Sequence, residues 1–585
     1  MPSERVIDTD VLVIGGGVAG CFAAINAREQ NLKVTLVDKA YVGKSGASIM
    51  ASGWWAAFNA DWGMDLAQVL DGINENGSYI NNREWSEIMM KESFGTYKNL
   101  REWGVEFPAK PEEEKDWFDK EILRSGRRRK IVATQSAHGG QTFAFIPLRH
   151  RKTPPVLRRQ ALKTSVKIVD RVVITELLKQ DGALVGAVGF AVESGITYVF
   201  KAKATVLAAG NNYFKPAGFH TSSVTGDADA MAYRAGAIIT GKEFPDMHFS
   251  FAKYSAWKGN GELYPAYMVM TDAEGKMVFP KAMDTAPVLA FDAGRGPIYW
   301  NFDLAEPDDV AAMAAYRDKR ANPVEFERIG LRFDRGKWQV AGGHAAGGSE
   351  EQSSGVWPVN TKCAASIPGL YVAGDCCCTW CWGAIQNGAP WGLMPAAVTG
   401  TRAGKGAAEY ALQINKLVVD DGNLARLKEM QFAPMQRAGG FDPNWVTQLI
   451  EYTMKPYYVL HVKNADRLNA ALTFVEFMRD RLVPKLHASD FHELKLAHET
   501  KNMVLNAEMI LRASLLRTES RGRHFREDFP ERDDPAWLAW VKIHEEEGGM
   551  KLFKEPVPKA WWPDPLKSDQ GLPPDHYTPV TRPGA

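Results

Sequence analysis

Asp10–Gly20, DVLVIGGGVAG, decides the reading of this chain. Val11–Ile14 is an unbroken apolar run with the length of a buried strand, Gly15-Gly16-Gly17 is a turn, and a helix start runs from there to Gly20. Gly15, Gly17 and Gly20 fill the fixed places of a G-x-G-x-x-G pattern. The first glycine allows the tight turn, the second lets backbone approach a pyrophosphate, and the third lets the helix pack on the strand. Free amide N–H groups and the positive end of the helix dipole then face the anion. A second strand, Lys33–Val37, follows and ends at Asp38, where a ribose-binding carboxylate is expected. These residues predict a β-α-β unit that binds a dinucleotide.

Around that unit the chain is long. Its 585 residues exceed one ordinary core and predict two to four domains. Seventy basic residues balance seventy acidic ones, which excludes nucleic-acid binding through bulk charge. Eighteen tryptophans suit a large core or a planar ligand. No apolar run reaches the eighteen residues of a membrane span, and the polar start MPSERVIDTD carries no secretory signal, so a cytoplasmic location is expected. The six cysteines, Cys21, Cys363, Cys376, Cys377, Cys378 and Cys381, are not expected to form a disulfide framework.

After Asp38, small residues dominate Gly43–Gly53, so backbone can lie close to a bulky cofactor. A helical pattern covers Asp65–Trp103. The charged run ending in Arg127-Arg128-Arg129-Lys130 is a solvated loop or a docking patch for an acidic partner. A helix and a short strand are expected over 156–172, then strands at Val172–Leu177, Leu184–Ala191 and Thr197–Phe200, forming an antiparallel meander. Lys203–Asn211, KATVLAAGN, is a buried strand running into Ala209-Gly210. An inserted domain is expected from 216, opening with Val224–Asp227 and a helix over Ala228–Ala235, and holding another helix near Asp308–Lys319. Val340–Gly348 should return the chain to the first domain, where Ser366–Asp375 forms a strand ending in Gly374-Asp375. Long amphipathic helices over Ala465–Leu482 and Glu493–Leu516 predict a helical bundle. From Glu545 the chain is rich in Pro, Trp and Lys, and is expected to wrap the body or a partner.

DVLVIGGGVAG, KATVLAAGN, TGDADAMAYRAGA, GLYVAGD and ESRGRHFREDFPERDDPAWL together resemble the succinate dehydrogenase/fumarate reductase flavoprotein superfamily, nearly end to end. Within it, Ala187–Pro216, Asp292–Trp300 and Gly342–Gly348 are more similar to the alpha subunit of dissimilatory adenylylsulfate (APS) reductase. The resemblance implies an α/β fold with a Rossmann-like FAD-binding domain in two parts (1–215 and 343–430), an inserted α+β capping domain (216–342), a C-terminal helical domain (431–541) and an extended tail (542–585). It implies FAD held by Gly15, Gly17, Gly20, Asp38, Lys39, Ser45, Gly46, Ala209, Gly210, Asp227, Gly374, Asp375 and Leu393. Covalent relatives carry a histidine after a serine in the loop where this chain has Ser45-Gly46, so the attachment is expected to be non-covalent. The electron partner implied by the same resemblance is a ferredoxin-like iron–sulfur beta subunit.

Substrate residues depart from the family. Where dicarboxylate-handling relatives keep an arginine-leucine-glycine-glycine stretch, this chain has Gln386-Asn387-Gly388-Ala389, and the proton-donating arginine has no counterpart near Gly259–Tyr267. A carboxylate needs bidentate donors, so this counts against fumarate or succinate chemistry. The APS reductase pattern survives in part. Asn59 and His344 match active-site residues, Lys253 stands for a substrate-handling arginine, and a basic residue near Pro287–Phe291 is missing. Arg295 binds substrate or anchors the inserted domain. His248 faces the pocket or the core. Arg521, Arg523 and Arg526 reach towards the flavin domain or pair with Asp528, Glu531 and Asp533. Cys376–Cys381 lacks the separated pairs of a metal site; packing against the flavin ring, or a redox thiol pair beside it, are the two readings. Three functions follow: a catalytic subunit that works on a small anion such as a sulfur oxyanion, a fumarate-reductase-like enzyme, or an electron-transfer subunit without its own substrate.

Overall fold

The structure, a computed structural model, describes residues 3–49, 51, 54–107, 144–147, 152–215, 223–245, 249–251, 254–258, 269–278, 290–291, 293–304, 335–344, 354–384 and 390–563. The basic run Arg127–Lys130, the helix expected near Asp308–Lys319, His248, Lys253 and Gln386–Ala389 lie outside them.

The opening stretch folds as its residues dictate. β1 (Glu4–Ile14), α1 (Val18–Arg28) and β2 (Val34–Asp38) make a parallel β-α-β unit. The side-chain period of two sorts β1 between two cores. Val11 and Val13 join the core under α1, and Leu12 and Ile14 join the core on the other face. The helical pattern after it resolves into α2 (Leu66–Asn76) and α3 (Arg83–Glu102). Between them, Gly77 sits so close to Trp382 that a Cβ would lie 2.8 Å from its carbonyl oxygen. β3 (Trp54–Ala57) pairs antiparallel with β4 (Ala144–Pro147), and α4 (Thr153–Lys163) leads into β5 (Lys167–Asp170).

β6 (Val172–Gln180), β7 (Ala183–Ala191) and β8 (Thr197–Leu207) complete a seven-stranded sheet in the order β5-β2-β1-β8-β7-β6, with a further strand beside β8. The two strands expected at Thr197 and Lys203 are one strand. It runs parallel to β1 along its whole length, because Glu4–Thr9 extends the partner backwards beyond the apolar run. The expected meander is therefore part of this sheet. α5 (Asp227–Ala235) does not open a separate unit either. It buries Ala228, Met231 and Ala232 against Val172 and Ile174 of β6.

A second, five-stranded antiparallel sheet has the order β11-β10-β14-β13-β12, from β10 (Phe249–Phe251), β11 (Tyr254–Lys258), β12 (Val269–Thr271), β13 (Tyr299–Asn301) and β14 (Lys337–His344). Val340–His344 thus stays in the inserted sheet instead of returning to the first domain, since Val340 pairs with Phe251 and His344 with Phe249. The return comes later. β15 (Gly355–Val356) pairs with β9 (Ile239–Thr240), and β16 (Leu370–Val372) joins the main sheet beside Thr205–Leu207. α6 (Pro390–Gln413) then packs on α1, closely enough that a Cβ on Gly400 or Gly404 would strike the carbonyl oxygens of Ala19 or Ala23.

After α7 (Asp421–Gln436), the helices α8 (Pro443–Met454), α9 (Ala465–Phe477) and α10 (Phe491–Leu516) enclose a core that includes Val446, Ile450, Leu468, Leu472, Val475, Val504 and Leu511. Asp442, Asn464 and Asp490 cap their N-termini by accepting first-turn N–H groups. The short strands β17 (Val462–Lys463) and β18 (Phe525–Arg526) pair beside this core. The tail expected to be extended from 542 contains instead a hairpin of β19 (Ala539–Glu546) and β20 (Gly549–Pro556), which completes the four-stranded sheet β15-β9-β19-β20. Val541 and Ile543 alternate into the core, which is why this segment folds as a strand.

ESRGRHFREDFP becomes a buried ion-pair web. Glu519 accepts from Arg517 Nη1 at 2.8 Å and from Arg521 Nε and Nη2 at 2.7 and 2.8 Å, and all three side chains are fully buried. Arg517 Nε also pairs with buried Glu243 at 3.0 Å. Arg521 Nη1 donates to Ser78 O across to the α2–α3 connection, while its acidic partners are Glu519 and Asp534 and not the expected Asp528, Glu531 or Asp533. Arg526 pairs with Asp528.

Candidate cofactor cleft

A cleft runs along the ends of β1, β2 and β8. Gly15, Gly17, Asp38, Lys39, Ser45, Gly46, Ala209, Gly210, Asp227, Gly374, Asp375 and Leu393 all line it, brought together from segments hundreds of residues apart. Gly20, the remaining cofactor candidate, sits behind the wall.

The glycines differ in what they do. A Cβ on Gly15 would lie 2.3 Å from Ala208 O, and one on Gly20 would lie 1.8 Å from Gly15 O. These two glycines permit the turn and the close packing of α1 whatever occupies the cleft. A Cβ on Gly17 would meet only Ser48, with Oγ at 3.0 Å. What Gly17 keeps clear is the cleft itself. As N-cap of α1 it offers no side chain to the first-turn amides, and Val18 N–H is held by Ser48 Oγ at 3.1 Å. The glycine cradle and the helix N-terminus therefore fit the pyrophosphate of a dinucleotide.

Asp38 organises the turn as well as facing the cleft. Its Oδ2 accepts from Gly16 N at 2.7 Å, and its Oδ1 accepts from Ala40 N at 2.7 Å and from Ser45 Oγ at 3.2 Å. A carboxylate has about four lone-pair sites, so capacity remains for a ribose hydroxyl. Asp375 reaches the cleft from the turn after β16, where burial pushes its carboxyl up to about 6. Its backbone oxygen accepts from Asn211 Nδ2, which also donates to Ser354 O and so ties the turn after β8 to the returning chain.

Lys39 is the residue whose partners sequence spacing could not reveal. Its Nζ donates to Thr225 Oγ1 at 2.9 Å, to Asp227 Oδ2 at 2.7 Å and to Glu499 Oε1 at 2.8 Å, the last from α10. Burial works against the charge on Glu499, but Lys39 and Lys215 outweigh it and draw the carboxyl down to about 2. Lys39 itself is raised, its own burial outweighed by Asp227 and Glu499.

The four residues expected to be catalytic are not assembled by the described structure. Arg295 donates from Nε and Nη2 to Asp272 Oδ2, at 2.8 and 2.5 Å, next to the β12 end of the inserted sheet, which is the anchoring contact. Asn59 caps a short helical turn by accepting Asp61 N–H at 3.1 Å. His344 is placed by its backbone at the end of β14.

The cysteines do not line the cleft, contrary to expectation, although they follow Asp375 directly. The chain turns inward after Gly374–Cys376, so Cys376 and Cys377 join the core beneath the sheet, Cys378 packs with Trp380, and Cys381 joins the core beside α3. All six are free and fully buried. Burial pushes the Cys381 thiol up to about 12 and raises Cys376, Cys377 and Cys378 as well; burial and the nearby Asp38 do the same to Cys21. Such thiols are neither exposed nor ionised, the two conditions of reactivity. Ellman's reagent at pH 8 is expected to release no colour from the native protein and to titrate six thiols after denaturation; one fast native thiol would revive the redox-pair reading. Among the described residues no group of His, Cys, Asp or Glu side chains is arranged to hold a metal ion, and no helix is long and apolar enough to cross a membrane.

Residues 10–252 match the FAD binding domain family, and residues 451–569 match the fumarate reductase flavoprotein C-terminal family. The chain is 26% identical to one subunit of the fumarate reductase (CoM/CoB) of Methanothermobacter marburgensis, over 93% of this chain and 98% of that protein. It is 25% identical to the fumarate reductase flavoprotein subunit of Mycobacterium tuberculosis, over 95% and 98%. Among solved structures, adenylylsulfate reductase from Archaeoglobus fulgidus superposes with a TM-score of 0.76 at 20% identity, covering 96% of this chain and 98% of the other. E. coli quinol fumarate reductase gives 0.77 at 17% identity, covering 94% and 97%. At such identities the structural likeness concerns the fold. The chain is an FAD-dependent oxidoreductase that carries an FAD-binding domain and a fumarate-reductase-type C-terminal domain, and resembles the succinate dehydrogenase/fumarate reductase flavoproteins.

Proposed function

We propose that this chain is a cytoplasmic catalytic flavoprotein subunit that holds FAD non-covalently in the cleft and exchanges electrons between a small anionic substrate and a ferredoxin-like iron–sulfur beta subunit. The observation that carries the cofactor reading is the composition of the cleft wall. Gly15, Gly17 and the start of α1, whose N-cap glycine brings no side chain, suit the pyrophosphate, while Asp38 and Asp375 offer acceptors for hydroxyl groups. With its carboxyl raised to about 6, Asp375 accepts a hydrogen bond when ionised and donates one when protonated. Ser45-Gly46, without a histidine, supports non-covalent attachment. The flavin, when bound, supplies hydride chemistry at one end and single-electron exchange with an iron–sulfur chain. The residues of this chain orient it and exclude water from it.

For the substrate, Asn59, His344 and Lys253 remain the candidates by resemblance to the APS reductase alpha subunit, with Arg295 weakened by its commitment to Asp272. A sulfur oxyanion compound is the preferred anion, because the chain lacks the paired arginines that a dicarboxylate requires. The names of its relatives support a second reading, fumarate-like reduction of an activated carbon–carbon bond. An electron-transfer subunit without its own substrate is the third.

Anaerobic stopped-flow separates the three. The purified flavoprotein is reduced, then mixed with APS, with fumarate and with buffer; the reverse direction uses oxidised protein with sulfite and AMP. Reoxidation by APS and not by fumarate is expected. Reoxidation by fumarate alone moves the assignment to the second reading, and by neither to the third.

A further inference from the structure

α10 lies at the far C-terminal side of the sequence, yet three of its residues reach the wall of the cofactor cleft. Glu499, Asn502 and Asn506 stand at i, i+3 and i+7, one face of a helix. Glu499 Oε1 accepts from Lys39 Nζ, and its Oε2 accepts from Lys215. Asn502 Nδ2 donates to Asp227 Oδ1 at 2.9 Å, and Asn506 Nδ2 donates to Gly226 O at 3.1 Å. Gly226 is held so closely that a Cβ there would lie 2.3 Å from the Asn506 amide. Lys39 and Asp227 are at once the inner partners of this helix and the outer wall of the cleft. Glu499 is 2% exposed, so its contacts are shielded from the solvent that weakens surface pairs.

We propose that α10 is a working part of the cofactor site, with Glu499 as a positioning residue that acts through Lys39 and Asp227, so that binding of a dinucleotide and docking of the C-terminal helices form one coupled equilibrium. The inference rests on the reading of the cleft as the FAD site. Its physical basis is linkage: a ligand that needs Lys39 and Asp227 in place favours the docked helix, and the docked helix favours the ligand by the same factor. Without Glu499, Lys39 keeps only Thr225 and Asp227 or swings into the cleft, and the wall loses its fixed shape.

Two measurements on the full chain test this. Amide hydrogen exchange is followed with and without FAD, and FAD affinity is read from flavin fluorescence in E499Q, E499D, K39M and the double variant E499Q/K39M. FAD is expected to slow exchange in 491–516 as well as around 15–20. E499Q is expected to weaken FAD by about ten-fold, E499D by less, and E499Q is expected to add nothing once Lys39 is methionine. Should E499Q fail to fold, N502A, which removes the bond to Asp227, carries the same comparison. Protection at 15–20 with unchanged exchange in 491–516, or a full E499Q effect in the K39M background, would overturn the coupling and leave the cleft reading intact. No protection at 15–20 would overturn the cleft reading itself.

Discussion

Gly17→Ala is expected to fold and lose its flavin, whereas Gly20→Ala is expected to lose fold and flavin together. The two substitutions add the same methyl group three residues apart on the first turn of α1. At Gly20 the methyl would sit 1.8 Å from Gly15 O, a backbone atom that cannot move without pulling the glycine turn off β1. Overpacking of a tight core costs about 1–3 kcal/mol even where side chains can shift, and here they cannot. At Gly17 the methyl meets only the Ser48 side chain, which can yield a few tenths of an ångström. It then projects where the pyrophosphate must approach. The check is the flavin absorbance of each purified variant beside its thermal melt. A Gly17→Ala protein that keeps a full complement of flavin would show that the cofactor does not lie on this turn.

Glu519→Gln is expected to cost about 3–5 kcal/mol, the range for removing one partner of a buried charge pair. Glu519 is the shared acceptor of Arg517 and Arg521, and also takes the Asp533 N–H at 3.0 Å. A neutral amide of the same shape leaves Arg517 with Glu243 and Arg521 with Asp534 as their remaining carboxylates, takes one negative charge out of the buried web and brings in a new N–H donor. The loss should appear as earlier unfolding in urea followed by far-ultraviolet circular dichroism. Flavin release should accompany it, because Arg521 also holds Ser78 O in the connection before α3. A change below about 1 kcal/mol, the scale of an exposed pair, would mean that the web does not hold the C-terminal region in place.

The parts of this molecule visible in the sequence are those written in local patterns. The glycine turn, the apolar run Val11–Ile14 and the helix caps each carry their geometry within a few residues. Gly15, Gly17 and Asp38 are legible in that way; the other cleft-lining candidates, from Lys39 to Leu393, come from the family resemblance. The departures have a common cause. Lys201 and Lys203 interrupt the apolar run of β8 and make it read as two strands, while the partner that holds those residues in one strand is the distant Asp8–Asp10. The prolines and lysines of the tail suggest an exposed segment, and only the edge offered by β9 makes its hairpin part of a sheet. Glycine-rich sequence at Val340–His344 suggests a connector, whereas it forms the central strand of the inserted sheet. The Lys39–Asp227–Glu499 cluster links three positions with no spacing that a one-dimensional reading can detect. The cysteine run is adjacent to the cleft in sequence, but a single turn of chain carries it into the core.

The branching of β8 has a consequence in time. Its first half pairs with β7, but its second half waits for β16, and the cleft waits further for Leu393. During synthesis, Ile14 leaves the ribosome about 380 residues before Leu393 does. At about 5–20 residues per second, that is an interval of roughly 20–75 s. For the roughly 8–33 s between Leu207 and Leu370 the edge of Thr205–Leu207 has no neighbour, and until Leu393 the glycine turn lacks part of its opposite wall. Cofactor capture is therefore a late event for the nascent chain, and the cell must keep an unfinished parallel sheet from pairing with others until it happens.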